Sequence, residues 1–393
     1  MVKQGYKQTE IGVIPEDWEV KKVSEISRIT TGNKNTQDRI ENGIYPFFVR
    51  SQTIEHINSF SFEGEAVLTA GDGVGVGKVF HYINGKFDYH QRVYAISHFD
   101  TNVYGFYFFK YFQNNFYNRI MQMTAKSSVD SVRMETIADM LIPLPPLPEQ
   151  EAIAEALSDA DAWIESLEQL IAKKRLIKQG AMQELLTPPS TSSGNADGEA
   201  LEPWEVKKLG EVIDTIIGGG TPSRTNSDFW GGDIPWMTVK DFTTFDPNET
   251  QEYITIEGLK NSATRIVPAG SLIIATRIAL GKIVRYQVDV AINQDLKTIE
   301  LKSIIDNDFF IYKYRSMADK IIEKGSGSTV LGLSIEDLKG FEISFPSLSE
   351  QTRIATILSD MDAELEALEQ KLSKARQIKQ GMMQELLTGR IRL

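Results

Sequence analysis

Two stretches of this chain repeat apolar residues at a regular alternating step. In one, Ile153, Leu157, Ala160, Ile164, Leu167 and Ile171 follow a spacing of four, three, four, three, four. In the other, Ile354, Leu358, Met361, Leu365, Leu368, Leu372 and Ala375 do the same. A mean step of 3.5 aligns these side chains on one seam of an α-helix and predicts coiled-coil pairing. Pro145, Pro146 and Pro148 stop the preceding strand and launch the first helix, and Pro346 does so for the second. Glu149-Gln150 and Glu350-Gln351 put acidic and amide groups in the first turn, where the helix dipole favours them. A helix of about 38 residues spans roughly 57 Å. That is longer than a small domain's core, so each helix reads as a strut. Each could instead pack onto its own globular region, but two matched seams point to packing on each other. Gly180 and Gly381 lie late in the helices, where glycine costs about 1 kcal/mol against alanine; close approach or a kink would account for them.

Outside the helices the pattern is mixed. Trp18–Ile29 and Trp204–Ile217 alternate like strands, and each runs into a turn-rich stretch. Ala66–Ala70 and Ser271–Ala275 read as buried strands, and Phe106–Ile120 and Phe309–Ile322 as amphipathic helices. The chain is also a repeat. Leu147–Thr187 aligns with Leu348–Thr388 at an offset of 201 with 26 of 41 positions identical, and Trp18–Lys22 recurs as Trp204–Lys208. The expected layout is α+β: a mixed α/β region at 1–148, a helix at 149–187, a linker at 188–203, a second α/β region at 204–345 and a second helix at 346–393. Pro188–Gly198 is rich in breakers and reads as an exposed linker. If a pseudo-two-fold axis relates the halves, the helices form an antiparallel coiled coil. A duplicated frame carrying two unlike globular regions suggests two related but different targets.

Composition narrows the function. With no cysteine in 393 residues, disulfide, thiolate and Cys-zinc chemistry are excluded, which suits a cytoplasmic protein. The four histidines lack metal-ligand spacing, no apolar run is long enough for a membrane, and the first residues do not read as a signal peptide. The net charge of −12 argues against nucleic acid at first sight. Its distribution changes the picture: 1–148 carry −1, 149–187 carry −4, 188–203 carry −3, 204–345 carry −4 and 346–393 are neutral. Basic faces on the globular regions remain possible, with further positive charge supplied by partners.

The candidate chemistry is binding. Gly71–Lys78 fails as a P-loop, because Asp72 stands where the first glycine must be and Val79 where Ser or Thr must hold magnesium. It fails as a dinucleotide fingerprint too. Its counterpart Thr276–Ile283, with Arg277 and Lys282, keeps the Gly-Lys pair but loses most other glycines. A strand–turn–strand holding Lys78 or Lys282 near DNA tolerates that change; a plain turn does as well. His90-Gln91-Arg92 corresponds to Asn293-Gln294-Asp295. Gln and Asn can bond adenine and Arg guanine, or the shared Gln can satisfy backbone in a turn. Arg50-Ser51 and Lys240-Asp241 follow strands as a third pair. The loops around Lys34, around Thr221, Ser223 and Arg224, around Lys126 and Ser128, and around Ser328 and Thr329 suit phosphate contacts; solvated loops are the alternative. Trp18 and Trp204 read as core anchors rather than base-stacking platforms.

The run into Glu149-Gln150, followed by a heptad helix ending Ile-Lys-Gln-Gly-x-Met-Gln-Glu-Leu-Leu-Thr, resembles the conserved regions of the specificity subunits of type I restriction–modification enzymes. The resemblance covers essentially the whole chain. It implies double-stranded DNA as ligand, two methylation subunits and motor-nuclease restriction subunits as partners, and a target of two half-sites separated by unspecified bases. It also implies that the chain is not itself an enzyme, with S-adenosylmethionine, ATP and magnesium held by the partners. No Asn/Asp-Pro-Pro-aromatic segment of an amino-methyltransferase is present: the only Pro-Pro pairs are Pro145-Pro146 and Pro188-Pro189. A stand-alone methyltransferase and a coiled-coil scaffold without DNA readout are the competing readings.

Overall fold

A computed structural model describes residues 3–123, 131–189, 203–326 and 332–393. The chain divides into two compact units, Met1–Gln169 with Glu369–Leu393, and Leu170–Leu368. Each unit therefore takes in the first half of one long helix and the second half of the other.

The first unit is built on a six-stranded sheet in the order Arg28–Thr31, Val93–Ser97, Phe62–Ala70, Phe80–Tyr89, Tyr45–Phe48, Glu55–Ile57. Ala66–Ala70 is buried at every position, as its unbroken apolar run requires. The helix Gly105–Met123 supplies a column of stacked rings to the core: Phe108 on Phe112 at 5.5 Å, and Phe112 on Phe116 at 4.4 Å. Trp18, Ile142, Ile153, Leu157, Leu386 and Leu387 complete that core.

The second unit repeats the frame with its long hairpin broken. The strand Phe62–Ala70 is replaced by Arg265–Val267 and Leu272–Ala275, and its partner Phe80–Tyr89 by Ile283–Arg285 and Val290–Ile292. The sheet accordingly splits in two. One half runs Ile213–Gly218, Leu296–Leu301, Leu272–Ala275, Ile283–Arg285; the other runs Glu252–Ile254, Trp230–Met237, Val290–Ile292, Arg265–Val267. In both units the strand leading to the candidate loops pairs in parallel with the next: Tyr45–Phe48 with Phe80–Tyr89, and Trp230–Met237 with Val290–Ile292.

The strand-like openings are broken. Glu19–Lys22 and Glu205–Lys208 are strands, but one-turn helices follow at Val23–Ile26 and Leu209–Val212 before the main-sheet strands begin. The reason is local: the Glu25 and Glu211 carboxylates accept from the Lys22 and Lys208 backbone N–H groups at 2.7 Å and hold the first turn. The helix expected at Phe309–Ile322 is interrupted at Met317, giving Asn307–Ser316 and Ala318–Ser326. There the Ser316 hydroxyl donates to the Lys313 carbonyl at 2.7 Å, competing with the helix ladder. Trp18 is fully buried; Trp204 is half-buried, edge-on to Phe309 and under the Lys313 ammonium.

The long helices span Leu147–Leu185 and Leu348–Leu386. Their glutamines do more than sit at a helix start. Gln150 is buried; its amide donates to the Asn102 and Pro145 carbonyls and its carbonyl accepts from the Tyr104 N–H, all at 2.9 Å. Gln351 repeats this with Ile304, Pro346 and Asp306 at 2.9–3.0 Å. Each glutamine thus clamps its helix to the loop that opens the domain helix. About three turns later stands a charged junction. In the first unit Asp161 takes Lys110 at 2.7 Å and Lys379 from the end of the second helix. In the second unit Asp362 takes the Tyr312 hydroxyl at 2.7 Å and Lys178 from the end of the first helix. Arg376–Glu168 and Lys174–Glu364, both 2.6 Å, flank these junctions.

The apolar seam serves two purposes. Ile153 and Leu157 belong to the first unit's core and Ile354 and Leu358 to the second's, so the head of each helix packs on its own region. Farther along, Leu167, Ile171 and Ala375 are buried and Ile164, Met361, Leu365, Leu368 and Leu372 half-buried. At the far ends, Met382, Met383, Leu386 and Leu387 close the first core, and Ala181, Met182, Leu185 and Leu186 the second. The Leu186 carbonyl accepts from the buried Lys313 ammonium at 2.6 Å, and burial pulls that lysine down to about 8. A Cβ added at Gly180 or Gly381 would meet nothing within 4 Å, so close packing inside either unit does not call for those glycines.

Gln150→Ala or Gln351→Ala leaves several backbone groups without partners and should cost roughly 2–4 kcal/mol, read as a lower denaturation midpoint. A change below about 0.5 kcal/mol would show that water replaces the amide. A second expectation concerns acid. Burial works against the Asp161 charge, but the Lys110 and Lys379 ammonium groups outweigh it and hold the carboxyl below its ordinary value. A depressed carboxylate stabilises the fold above its unfolded pKa, and that contribution is lost as pH falls through the folded value. Wild type should therefore lose more stability than Asp161→Asn between about pH 4 and lower pH; parallel acid melting curves would contradict this.

Candidate nucleic-acid interface

In each unit, loops at the ends of neighbouring strands are tied together by main-chain hydrogen bonds. In the first unit the His90 N–H donates to Phe48 O (2.9 Å), Gln91 N–H to Lys34 O (2.8 Å) and Gly71 N–H to Arg92 O (2.8 Å). In the second, Asn293 N–H donates to Met237 O (3.1 Å), Gly220 N–H to Ile292 O (3.0 Å) and Thr276 N–H to Asp295 O (2.9 Å). Gly32 and Gly219 are required here: a Cβ on either would sit 1.9 Å from the carbonyl oxygen of Tyr89 or Ile292. The same frame is therefore built twice from different side chains. It also corrects one pairing: matching Phe48 to Met237 sets Ser51, not Arg50, against Lys240.

The central triplets divide their labour. His90 and Asn293 are buried. His90 Nδ1 accepts from the Arg92 N–H at 2.9 Å, and Asn293 Oδ1 from the Asp295 N–H at 3.1 Å. Both hold the turn. Burial pulls the His90 imidazole below its usual pKa, with Arg50 acting in the same direction. Gln91 and Gln294 are exposed, Gln91 donating to Asn35 Oδ1 and Gln294 accepting from the Thr221 hydroxyl. The Gln is thus presented outward on a fixed turn in both units.

Around the triplets lie the other candidates. The Arg50 guanidinium donates to Asp72 at 2.8 Å, and Arg92 stands 3.5 Å from the same carboxylate. Ser51 donates to Thr53 O and takes His81 on its carbonyl. Lys78, Lys240 and Lys282 are exposed and Lys34 half-buried; none has an ion-pair partner among the described residues. Arg224 is engaged: it grips Glu252 through both terminal nitrogens at 2.7–2.8 Å and lies 3.8 Å over the Trp230 ring. The Ser223 hydroxyl bonds Thr225, and its carbonyl takes the Trp230 indole. Arg277 faces Asp295 at 3.9 Å. Lys126, Ser128, Ser328 and Thr329 lie outside the described residues.

Three features were not singled out from sequence. Asp72 and Asp295 are the carboxylates that face the arginines, Asp72 bonding Arg50 and lying 3.5 Å from Arg92, and Asp295 lying 3.9 Å from Arg277; the exchange of Asp and Arg between Asp72/Arg277 and Arg92/Asp295 was the available signal. The third is the loop tip. Gly73 takes φ +76°, and in the second unit Ile278 takes φ +62° at the matching turn while 75% exposed. The Ala279 N–H donates to Arg277 O at 2.7 Å across it, closing a three-residue turn. A β-branched residue is strained there. Ile278→Gly should therefore raise stability by about 1 kcal/mol, read by denaturant titration; a loss would mean that the side chain packs productively.

Among the described residues, no group of three or more His, Asp or Glu is placed to hold a metal ion, and no helix is long and apolar enough to cross a membrane. The family model described as Type I restriction modification DNA specificity domain matches residues 15–174 and 201–377. A putative type I restriction enzyme MjaX specificity subunit from Methanocaldococcus jannaschii is 27% identical, with 100% of this chain and 97% of that protein covered. The MjaIX specificity subunit of the same organism is 32% identical over 42% of this chain and 39% of its own. In fold, the chain is similar to the crystal structure of a type I restriction–modification S subunit from M. genitalium, with a TM-score of 0.61 and 15% identity over 94% of this chain and 96% of that one.

Proposed function

Because this chain belongs to the family of type I restriction–modification DNA specificity domains, we propose that it selects a bipartite DNA site and scaffolds the subunits that act there. The observation that carries this reading is the loop frame built twice with different side chains. One frame, at 1–148, reads one half-site; the other, at 204–345, reads the second. The exposed Gln91 and Gln294 and the arginines beside them face base edges, and Lys34, Lys78, Lys240 and Lys282, which have no ion-pair partner among the described residues, face phosphates. Two methylation subunits and the motor-nuclease subunits bind the helices 149–187 and 346–393. They bring S-adenosylmethionine, ATP and magnesium, and the complex works in the cytoplasm.

The two helices, in this reading, pair as an antiparallel coiled coil and act as a ruler. Support comes from Asp161 with Lys379 and Glu168 with Arg376 in one unit, and Asp362 with Lys178 and Glu364 with Lys174 in the other. In each case the head of one helix meets the tail of the other. A rigid spacer converts directly into half-site separation.

Exchanging residues 204–345 for the equivalent region of a relative should change one half-site only, as mapped by sequencing methylated sites. Change in both halves, or in neither, would refute the division of labour. Inserting four residues into each helix, after Gln169 and after Leu368, lengthens the spacer by about 6 Å and turns it by roughly 40°. One added base pair lengthens DNA by about 3.4 Å and turns it by roughly 35°. The rotations nearly match and the lengths differ by roughly 3 Å, which the joints between helix and loop frame must take up; on that basis the unspecified gap should grow by one base pair with both half-sites intact. An active complex with an unaltered gap would show that the helices do not set the spacing.

A further inference from the structure

The two loop frames carry the same ion pair with its charges exchanged. The position after Gly71 is Asp72, and the matching position after Thr276 is Arg277. The last residue of the triplet is Arg92 in one unit and Asp295 in the other. The equivalence rests on backbone, not on alignment alone. Gly71 and Thr276 donate to the carbonyls of Arg92 and Asp295, and Val132 and Leu333 donate back to Gly71 and Thr276 at 2.8 Å. In both units the carboxylate is the sheltered member and the guanidinium the exposed one. Asp72 is 26% exposed against 64% for Arg92, and Asp295 is 14% exposed against 59% for Arg277.

A guanidinium has five N–H donors in a planar fork. Asp72 approaches Nε of Arg92 at 3.5 Å, and among the described residues nothing bonds the two terminal nitrogens of that arginine. Asp295 stands 3.9 Å from one terminal nitrogen of Arg277, and among the described residues nothing bonds the edge formed by Nε and the second terminal nitrogen. Either arrangement offers two parallel donors, which match O6 and N7 of guanine in the major groove. These are ion pairs at 3.5 and 3.9 Å, and Asp72 takes a direct hydrogen bond from Arg50 at 2.8 Å; a guanidinium drawn toward a carboxylate on one edge still loses less rotamer freedom on binding.

We propose that Arg92 and Arg277 each read one guanine, with Asp72 and Asp295 as positioning residues. This rests on the reading of the chain as a DNA-site selector. The arginine stands on the triplet in the first unit and on the preceding loop in the second. The guanine therefore falls at a different place within each half-site, and the halves are unlike although their frames match.

The test is methylated-site sequencing with the full chain in complex with its methylation partner. Arg92→Lys and Arg277→Lys keep the charge but lose the fork. Each should relax one base position in one half-site, lowering discrimination there about tenfold or more, with the other half-site unchanged. Asp72→Asn and Asp295→Asn should relax the same position as their arginine, a readout that a merely structural carboxylate would not move. Lysine variants that leave every base preference intact, or that weaken all sequences alike with a smaller salt dependence, would overturn the proposal. A wild-type complex without a bipartite site would instead strike at the proposed function.

Discussion

A helix of 39 residues cannot be buried by a domain of some 150, and the rest of this structure depends on how that excess is satisfied. Each unit secures the head of its own helix with a buried glutamine and a pair of core aliphatics. It then accepts the tail of the other helix through a carboxylate that holds a lysine. The heads are anchored by Gln150 and Gln351, the tails by Lys379 on Asp161 and Lys178 on Asp362. The Leu-Leu pairs that end the repeats reach the cores as well. Neither unit is complete from one continuous stretch of chain. The C-terminal Arg392 strengthens the point: it bonds Asp17 at 2.8–3.0 Å and the buried Glu149, which also takes the Trp18 indole.

That arrangement frees the strand-end loops from any structural task beyond closing on themselves. Their scaffold is main-chain hydrogen bonding, a buried side chain that holds the turn, His90 or Asn293, and a glycine that nothing larger can replace, Gly32 or Gly219. Side chains on such a scaffold can change identity, and even exchange charge, without disturbing the sheet. The overall acidity of the chain is no obstacle, because much of the excess negative charge lies on 149–187 and 188–203. The loops keep lysines that no described carboxylate neutralises.

The helices, the duplication and the buried strand Ala66–Ala70 were legible because each rests on periodicity that one kind of packing enforces. The one-turn helices after Lys22 and Lys208 were not, because a single capping carboxylate decides them. Ile153 and Leu157 were legible as buried but not as domain core, since a heptad seam looks the same against a sheet or a helix. At the loops, the pairing of His90-Gln91-Arg92 with Asn293-Gln294-Asp295 was visible. Which member turns inward was not, because it depends on a backbone N–H that only the folded turn presents. The Gly71–Lys78 run hid Asp72: its glycines pointed to phosphate cradles, whereas its carboxylate bonds Arg50 and faces Arg92.

The central proposal is that one chain carries two different readers, with the long helices setting the gap between their half-sites. Sequencing the methylated sites of a host genome, with and without this chain, tests it most directly. The account predicts a single motif that depends on the chain, made of two unlike half-sites with a constant gap of unspecified bases. A contiguous motif, two identical halves, a variable gap, or methylation unchanged by the chain's removal would contradict it.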